Sequence, residues 1–296
     1  MATVTTEGTV GLGLRRVSAS KLPDQSIKQV DQLAILVDIS SCIGCKACEA
    51  ACSQWHDLKP PLHTEEKIFT GYQSGPGLAP NLFMYMRFQE EETPNGLVWA
   101  ITKYQCMHCS DPGCLKACPS PGAVIQYANG VVDFDHSKCI GCKFCLSGCP
   151  FDVPRYDANN KPWKCNFCID RVSAGIEPMC VKTCPTNALH FGTKEEMLLS
   201  ANKLLEGLKK RGFDKAAIYD PKGVGGTGYI YLLPHGDKPE IYGLPREASI
   251  SPLISLWKGP VKLLGSIILW GTLLGAFLQL ILFGPIKVGK KHKKEE

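Results

Sequence analysis

No cysteine in this sequence stands alone. All 16 among its 296 residues fall into four sets of four, at 42/45/48/52, 106/109/114/118, 139/142/145/149 and 165/168/180/184. Scattered structural thiols would leave stragglers, and a disulfide framework would not need grouping by fours. At about 5% of the chain, cysteine is also too thin for a small scaffold stapled by disulfides. Other absences narrow the field. The glycine-rich stretch "YDPKGVGGTGYIYLL" (219–233) lacks the Gly-Lys-Ser/Thr ending of a phosphate loop, and no helical pattern follows it. It reads as a turn leading into a strand at 228–233. Arg15-Arg16 is followed by "VSASKLPDQS" where an export signal requires an apolar stretch. No signal peptide is expected there, and the two arginines read as solvated. Neither a general-base constellation nor a substrate-pocket motif is present, which favours a wire over a catalyst.

What is present is organised around the cysteines. Residues 1–30 read as an extended arm. In the cysteine-bearing region, "NLFMYMRFQ" and "GLVWAITKY" flank Pro94-Asn95-Gly96 and predict a hairpin, and "GVVDFD" predicts a short strand. A helix is expected from Lys194 to Arg211, with Thr193 and Glu196 as a capping box and Gly212 as its stop. Its apolar face comprises Met197, Leu198, Leu204, Leu205 and Leu208. Leu263–Phe283 is an uncharged run of 21 residues. As a helix it spans about 30 Å, the hydrocarbon thickness of a bilayer. Trp257 and Lys258 precede it as interfacial anchors, and Gly284-Pro285 end it. Lys287, Lys290, Lys291, Lys293 and Lys294 beyond the run outnumber Arg246, Lys258 and Lys262 before it. That asymmetry favours a cytoplasmic tail, with the cysteines across the membrane.

Sets one and three, "CIGCKACEAAC" and "CIGCKFCLSGCP", carry the bacterial ferredoxin spacing. Three close thiolates then serve one 4Fe–4S cubane, and the fourth cysteine serves the other cluster of a pair. Set two, "CMHCSDPGCLKACP", stretches the middle gap, and set four, "CNFCIDRVSAGIEPMCVKTCP", stretches it to eleven residues. Sets two and three are neighbours and form a natural pair. Set one is left with set four. Four clusters follow: Cys42, Cys45, Cys48 and Cys184; Cys52, Cys165, Cys168 and Cys180; Cys106, Cys109, Cys114 and Cys149; Cys118, Cys139, Cys142 and Cys145. Zinc is the alternative for Cys165, Cys168, Cys180 and Cys184, although it does not explain sets one and three. His56, His63, His108, His136 and His190 read as surface or hydrogen-bonding residues rather than haem ligands. Lys46, Lys116, Lys143, Lys164 and Lys182 lie beside ligands, where a charge can raise a cluster's potential, but they are expected to be mainly solvated. The net charge of +5 counts every cysteine as neutral. A cluster on four thiolates carries about −2, so four bring the balance to roughly −3, and nucleic acid is not an expected partner.

The fold class expected is α+β, two nested bacterial-ferredoxin-like subdomains and then a single C-terminal transmembrane helix. The outer subdomain takes 31–95 and 158–192, with the inner inserted at 96–157. A helix and strand extension occupies 193–256, the membrane helix 257–284 and a basic tail 285–296.

The nested sets, "CMHCSDPGCLKACPSPGAVIQYANGVVDF", "YDPKGVGGTGYIYLL" and "GLPREASISPLISLWKGPVK" resemble the beta (iron–sulfur) subunit of membrane-bound formate dehydrogenase, from about Val37 to the end of the span. The resemblance implies a non-catalytic electron-transfer subunit in a three-subunit complex. Its partners would be a molybdopterin (molybdenum or tungsten) alpha subunit that oxidises formate and a membrane cytochrome b gamma subunit that reduces quinone. It also implies an inner-membrane location in contact with lipid, a periplasmic cluster domain, and export with the partner's twin-arginine signal. Two alternatives stand beside it: the equivalent subunit of a hydrogenase, sulfur-compound or nitrate-type reductase, and a zinc-stabilised membrane adaptor.

Overall fold

The computed structural model describes residues 14–19, 31–59, 72–93 and 96–284. The chain forms two compact units that part between Ile250 and Ser251. The first half of the larger unit contains β1 (Leu14–Val17), β2 (Leu33–Asp38), α1 (Ala47–Trp55), β3 (Met84–Thr93), β4 (Gly96–Gln105), α2 (Gly113–Ala117), β5 (Val124–Tyr127) and β6 (Val132–Phe134). There follow α3 (Phe144–Ser147), β7 (Arg155–Tyr156), β8 (Pro162–Trp163), α4 (Ile169–Ser173), α5 (Met179–Lys182), β9 (Leu189–Thr193), α6 (Lys194–Lys210), β10 (Ala217–Tyr219) and β11 (Tyr229–Leu233).

The organising layer is a four-stranded sheet in the order β10-β11-β2-β9, with β11 and β2 parallel and the other pairs antiparallel. Its two central strands, "LAILVD" and "YIYLL", are apolar at nearly every position because both faces are covered. Alternation of side chains sends Ala34, Leu36, Ile230 and Leu232 toward α6, where they meet Met197, Ala201 and Leu208. The intervening Ile35, Val37, Tyr229 and Tyr231 join the large core that holds many of the cysteines. This sheet is the wall on which the cysteine loops are built. Complete burial of a side chain such as Leu36 or Ile230 is worth about 1.5–3 kcal/mol.

Helix α6 forms with the expected capping box: Thr193 Oγ1 accepts the Glu196 N–H at 3.3 Å, and Glu196 Oε2 accepts the Thr193 N–H at 2.9 Å. Its buried stripe is centred differently from the expectation. Ala201 is fully buried, whereas Leu204, at the stripe's margin, is 37% exposed. The hairpin pairs in register from Met84 opposite Gln105 to Thr93 opposite Gly96. The strand in "GVVDFD" is β6, and β11 ends the glycine-rich turn. Pro94 and Asn95, residues 1–13 and 20–30 of the arm, and residues 285–296 lie outside the described residues.

The expectation of two solvated arginines fails for Arg16. Strand β1 pairs with β5, and the Arg16 guanidinium donates to Gln126 Oε1 at 2.8 Å, Asp111 Oδ1 at 2.9 Å and the Ser110 carbonyl at 2.5 Å. The arm segment is thereby tied to the set-two loop.

The second unit holds α7 (Pro252–Leu256), a wide turn at Trp257–Val261 that contains Pro260, and α8 (Lys262–Phe283). The turn widens where proline has no N–H to give to the helical ladder. At 22 residues α8 is about 33 Å long. Its 21-residue stretch Lys262–Leu282 is long and apolar enough to cross a membrane, and none of it is buried against protein.

Candidate iron–sulfur centres

Each cysteine set is built by the same local device. The residue two places after the first cysteine adopts a left-handed backbone: Gly44 (φ +66°), His108 (+47°), Gly141 (+73°) and Phe167 (+63°). That conformation turns the residue's N–H back onto the cysteine. The amides of His108, Gly141 and Phe167 donate to the sulfurs of Cys106, Cys139 and Cys165 at 3.5, 3.4 and 3.4 Å, and the Gly44 amide does the same for Cys42. A second left-handed residue, Lys46, Lys143 or Cys168, then starts helix α1, α3 or α4. Amides aimed at sulfur favour its anionic form.

The third and fourth cysteines are four residues apart in every set, as Cys48/Cys52, Cys114/Cys118, Cys145/Cys149 and Cys180/Cys184. On a helical turn they point the same way about 6 Å apart, so two neighbouring sites can each take one. Helix α1 packs on α5, and α2 packs on α3.

One cavity is lined by Cys42, Cys45, Cys48 and Cys184, with Met86 and Lys103 beneath them. A second is lined by Cys52, Cys165, Cys168 and Cys180, with His56, Lys103 and Tyr229. The sulfurs acting most strongly on Cys109 are those of Cys106, Cys149 and Cys114. Those acting on Cys145 are Cys118, Cys139 and Cys142. Between the groups, the Cys180 sulfur acts on Cys48, that of Cys165 on Cys106, and that of Cys145 on Cys114. The four groups therefore stand in the order first, second, third, fourth. Cys45 and Cys142, in the two terminal groups, are the exposed cysteines.

The donor sets suit cubanes better than single ions. A Zn–S bond of about 2.3 Å draws four thiolates to within about 4 Å of one another. Among the described residues no group of three or more His, Cys, Asp or Glu side chains is arranged to hold a single metal ion. Cys184, which a zinc site in set four would require, lies in the first cavity instead. In a 4Fe–4S cubane each thiolate meets a different iron and the sulfurs stand farther apart. Burial pushes the Cys52, Cys109 and Cys114 thiols far up and the Cys48 thiol up to about 12. Loading with iron must therefore displace protons.

Of the five lysines beside ligands, Lys164 is buried, against the solvated expectation. Its ammonium donates to the carbonyls of Val132 and, at 2.9 Å, Cys165. Lys116 pairs with Asp111 at 2.5 Å. His108 accepts the Val132 N–H on Nδ1 at 3.1 Å, the hydrogen-bonding role expected of it. Three contributors carried no sequence signal. Lys103, on β4 and more than 50 residues from the cysteines of either group, lines both outer cavities. The glycine-rich turn clasps the set-two loop, since the Ser110 and Asp111 amides donate to Gly226 and Val224 at 2.8 Å. Gly113 and Gly148 lie back to back where α2 meets α3, so close that a Cβ on Gly148 would fall 2.7 Å from the Gly113 oxygen.

Ferredoxin-type loops, buried thiols in paired sets and a lipid-length helix define a membrane-anchored 4Fe–4S electron-transfer protein. Family models described as "4Fe-4S dicluster domain" match residues 41–123 and 97–194, and one described as "Formate dehydrogenase N, transmembrane" matches residues 250–293. The chain is 48% identical over 267 residues to the iron-sulfur subunit of nitrate-inducible formate dehydrogenase from Escherichia coli, covering 90% of each. It is 48% identical over 264 residues to the formate dehydrogenase-O iron-sulfur subunit of the same organism, covering 88% of this chain and 87% of that one. Against the formate dehydrogenase iron-sulfur subunit of Haemophilus influenzae the identity is 47% over 256 residues, covering 86% and 81%. The chain belongs to the family of formate dehydrogenase iron–sulfur subunits.

Proposed function

We propose that the chain holds four 4Fe–4S clusters, one in each cysteine group: Cys42, Cys45, Cys48, Cys184; Cys52, Cys165, Cys168, Cys180; Cys106, Cys109, Cys114, Cys149; and Cys118, Cys139, Cys142, Cys145. When bound, each cluster supplies a one-electron redox carrier. The protein's part is to hold four carriers in a row, keep water from the middle two and leave the ends accessible. The observation that carries the reading is the linear order of the groups, with an exposed cysteine at each end.

Each end also presents apolar side chains suited to docking. Ile43 is 64% exposed beside the first group, and Ile140 and Phe144 are 68% and 54% exposed beside the fourth. On this reading a molybdopterin subunit that oxidises formate abuts one end. A membrane cytochrome b that reduces quinone abuts the other. The lysine excess after Phe283 supports a periplasmic cluster body with a cytoplasmic tail. The test is anaerobic assay of the purified membrane complex: formate should reduce quinone. Activity with hydrogen and none with formate would overturn the assignment of the donor.

A further inference from the structure

Lys103 is 2% exposed, and none of the ion pairs among the described residues includes it. Its ammonium donates to Gln105 Oε1 at 3.0 Å and lies 4.5 Å over the Tyr229 ring. Gln105 is held in turn by Tyr231, whose hydroxyl accepts from Gln105 Nε2 and donates to the Lys103 carbonyl, both at 2.7 Å. These partners are neutral. They fix where the charge sits without cancelling it. A buried unpaired cation is costly, so a site that keeps one needs anions nearby. Lys103 lines the cavities of both outer groups, and the groups that act on it most are the sulfurs of Cys180, Cys165, Cys48 and Cys52, which are anionic when they hold a cluster. Lys164, the other buried lysine near sulfur, differs in having Asp133 among its strongest partners.

We propose that Lys103 is a positioning residue for electron transfer, a fixed cation between the first and second cysteine groups that raises the reduction potentials of both their clusters together. The inference rests on the four-cluster assignment above. One-electron reduction adds a negative charge to a cluster, and a neighbouring cation in a low-dielectric interior stabilises the reduced form. One charge shared by two sites shifts both in the same direction. Electrons then cross the junction without a large step between them.

The test is redox titration of the intact membrane complex, monitored by electron paramagnetic resonance, with Lys103→Met and Lys103→Gln. Methionine keeps the length and apolar stem; glutamine keeps a donor for Gln105. Iron content is measured first, because a wild-type complex with fewer than four clusters refutes the assignment rather than the role of Lys103. In variants that retain their iron, the two clusters of the first and second groups should fall in potential by at least tenfold in the one-electron equilibrium, about 59 mV. The other two should shift less than threefold. Unchanged potentials, or an equal shift of all four clusters, would overturn the proposal. So would loss of the same clusters from both variants, which would make Lys103 a structural support.

Discussion

Replacing Gly148 with alanine should damage the two inner sites and spare the outer two. Gly148 follows α3 with φ −84°, an ordinary backbone conformation, so the cost of a side chain there is purely steric. The new Cβ would lie 2.6 Å from Ala117 Cβ and 2.7 Å from the Gly113 carbonyl oxygen. Carbon atoms pack at about 3.5–4.0 Å, so α2 and α3 must separate by roughly 1 Å. Overpacking of that size costs about 1–3 kcal/mol. The smaller figure for ligand geometry decides the outcome, because metal–ligand distances tolerate only about 0.2 Å. Cys114 lies on α2 and Cys149 follows Gly148 directly, and the two face each other in one group. Gly207→Ala is the control: it sits within α6 with nothing beyond the local helix backbone within 4 Å of the added Cβ, and alanine there should stabilise by about 0.5–1 kcal/mol. The assay is iron content together with low-temperature paramagnetic resonance of the reduced complex. Gly148→Ala should weaken or abolish the inner clusters' signals while Gly207→Ala keeps all of them. A Gly148→Ala complex with full iron and unaltered spectra would refute the reasoning, as would equal loss from every site.

Cys180→Ala should remove about four irons from the second group and leave the pair built from sets two and three. Formate-dependent quinone reduction should then fall to background, because a middle carrier is missing. Retained quinone reduction after loss of that iron would break the linear order. Thr193→Ala should cost about 1 kcal/mol through loss of the helix cap, read as faster hydrogen exchange in the first turn of α6. Hydrogen bonds from the Thr193 amide and hydroxyl hold the Glu196 carboxyl below the usual carboxylate range. The capping box should therefore protect fully above the ordinary carboxyl value and fade as pH falls through the lower folded value, visible in the same exchange data.

The parts of the molecule legible in sequence are those set by short-range geometry. Ligand spacing marks the cysteine loops, a capping box starts α6, and an uncharged run gives α8. The eleven-residue gap of set four proves to be filled by α4, whose Ile169 is fully buried, and by a turn at Gly175 with φ +73°. What escaped depends on residues far apart in the chain. Strand β2 joins β11 in parallel across almost 200 residues, and "LAILVD" alone gives no sign of its neighbour. Arg16 reaches Asp111 through the β1–β5 pairing. Lys103 alternates with residues of an unremarkable hairpin strand, and only the fold brings it beneath two cysteine groups. Gly113 and Gly148 resemble loop glycines until α2 meets α3.

On the function proposed, four 4Fe–4S clusters carry electrons from formate to the membrane. The most direct test is rapid mixing of the purified complex with formate under anaerobic conditions, after iron has been counted. About sixteen irons per chain are expected, with visible absorbance that formate bleaches and added quinone restores. Stoichiometric zinc in place of iron, or clusters that formate fails to reduce, would contradict it.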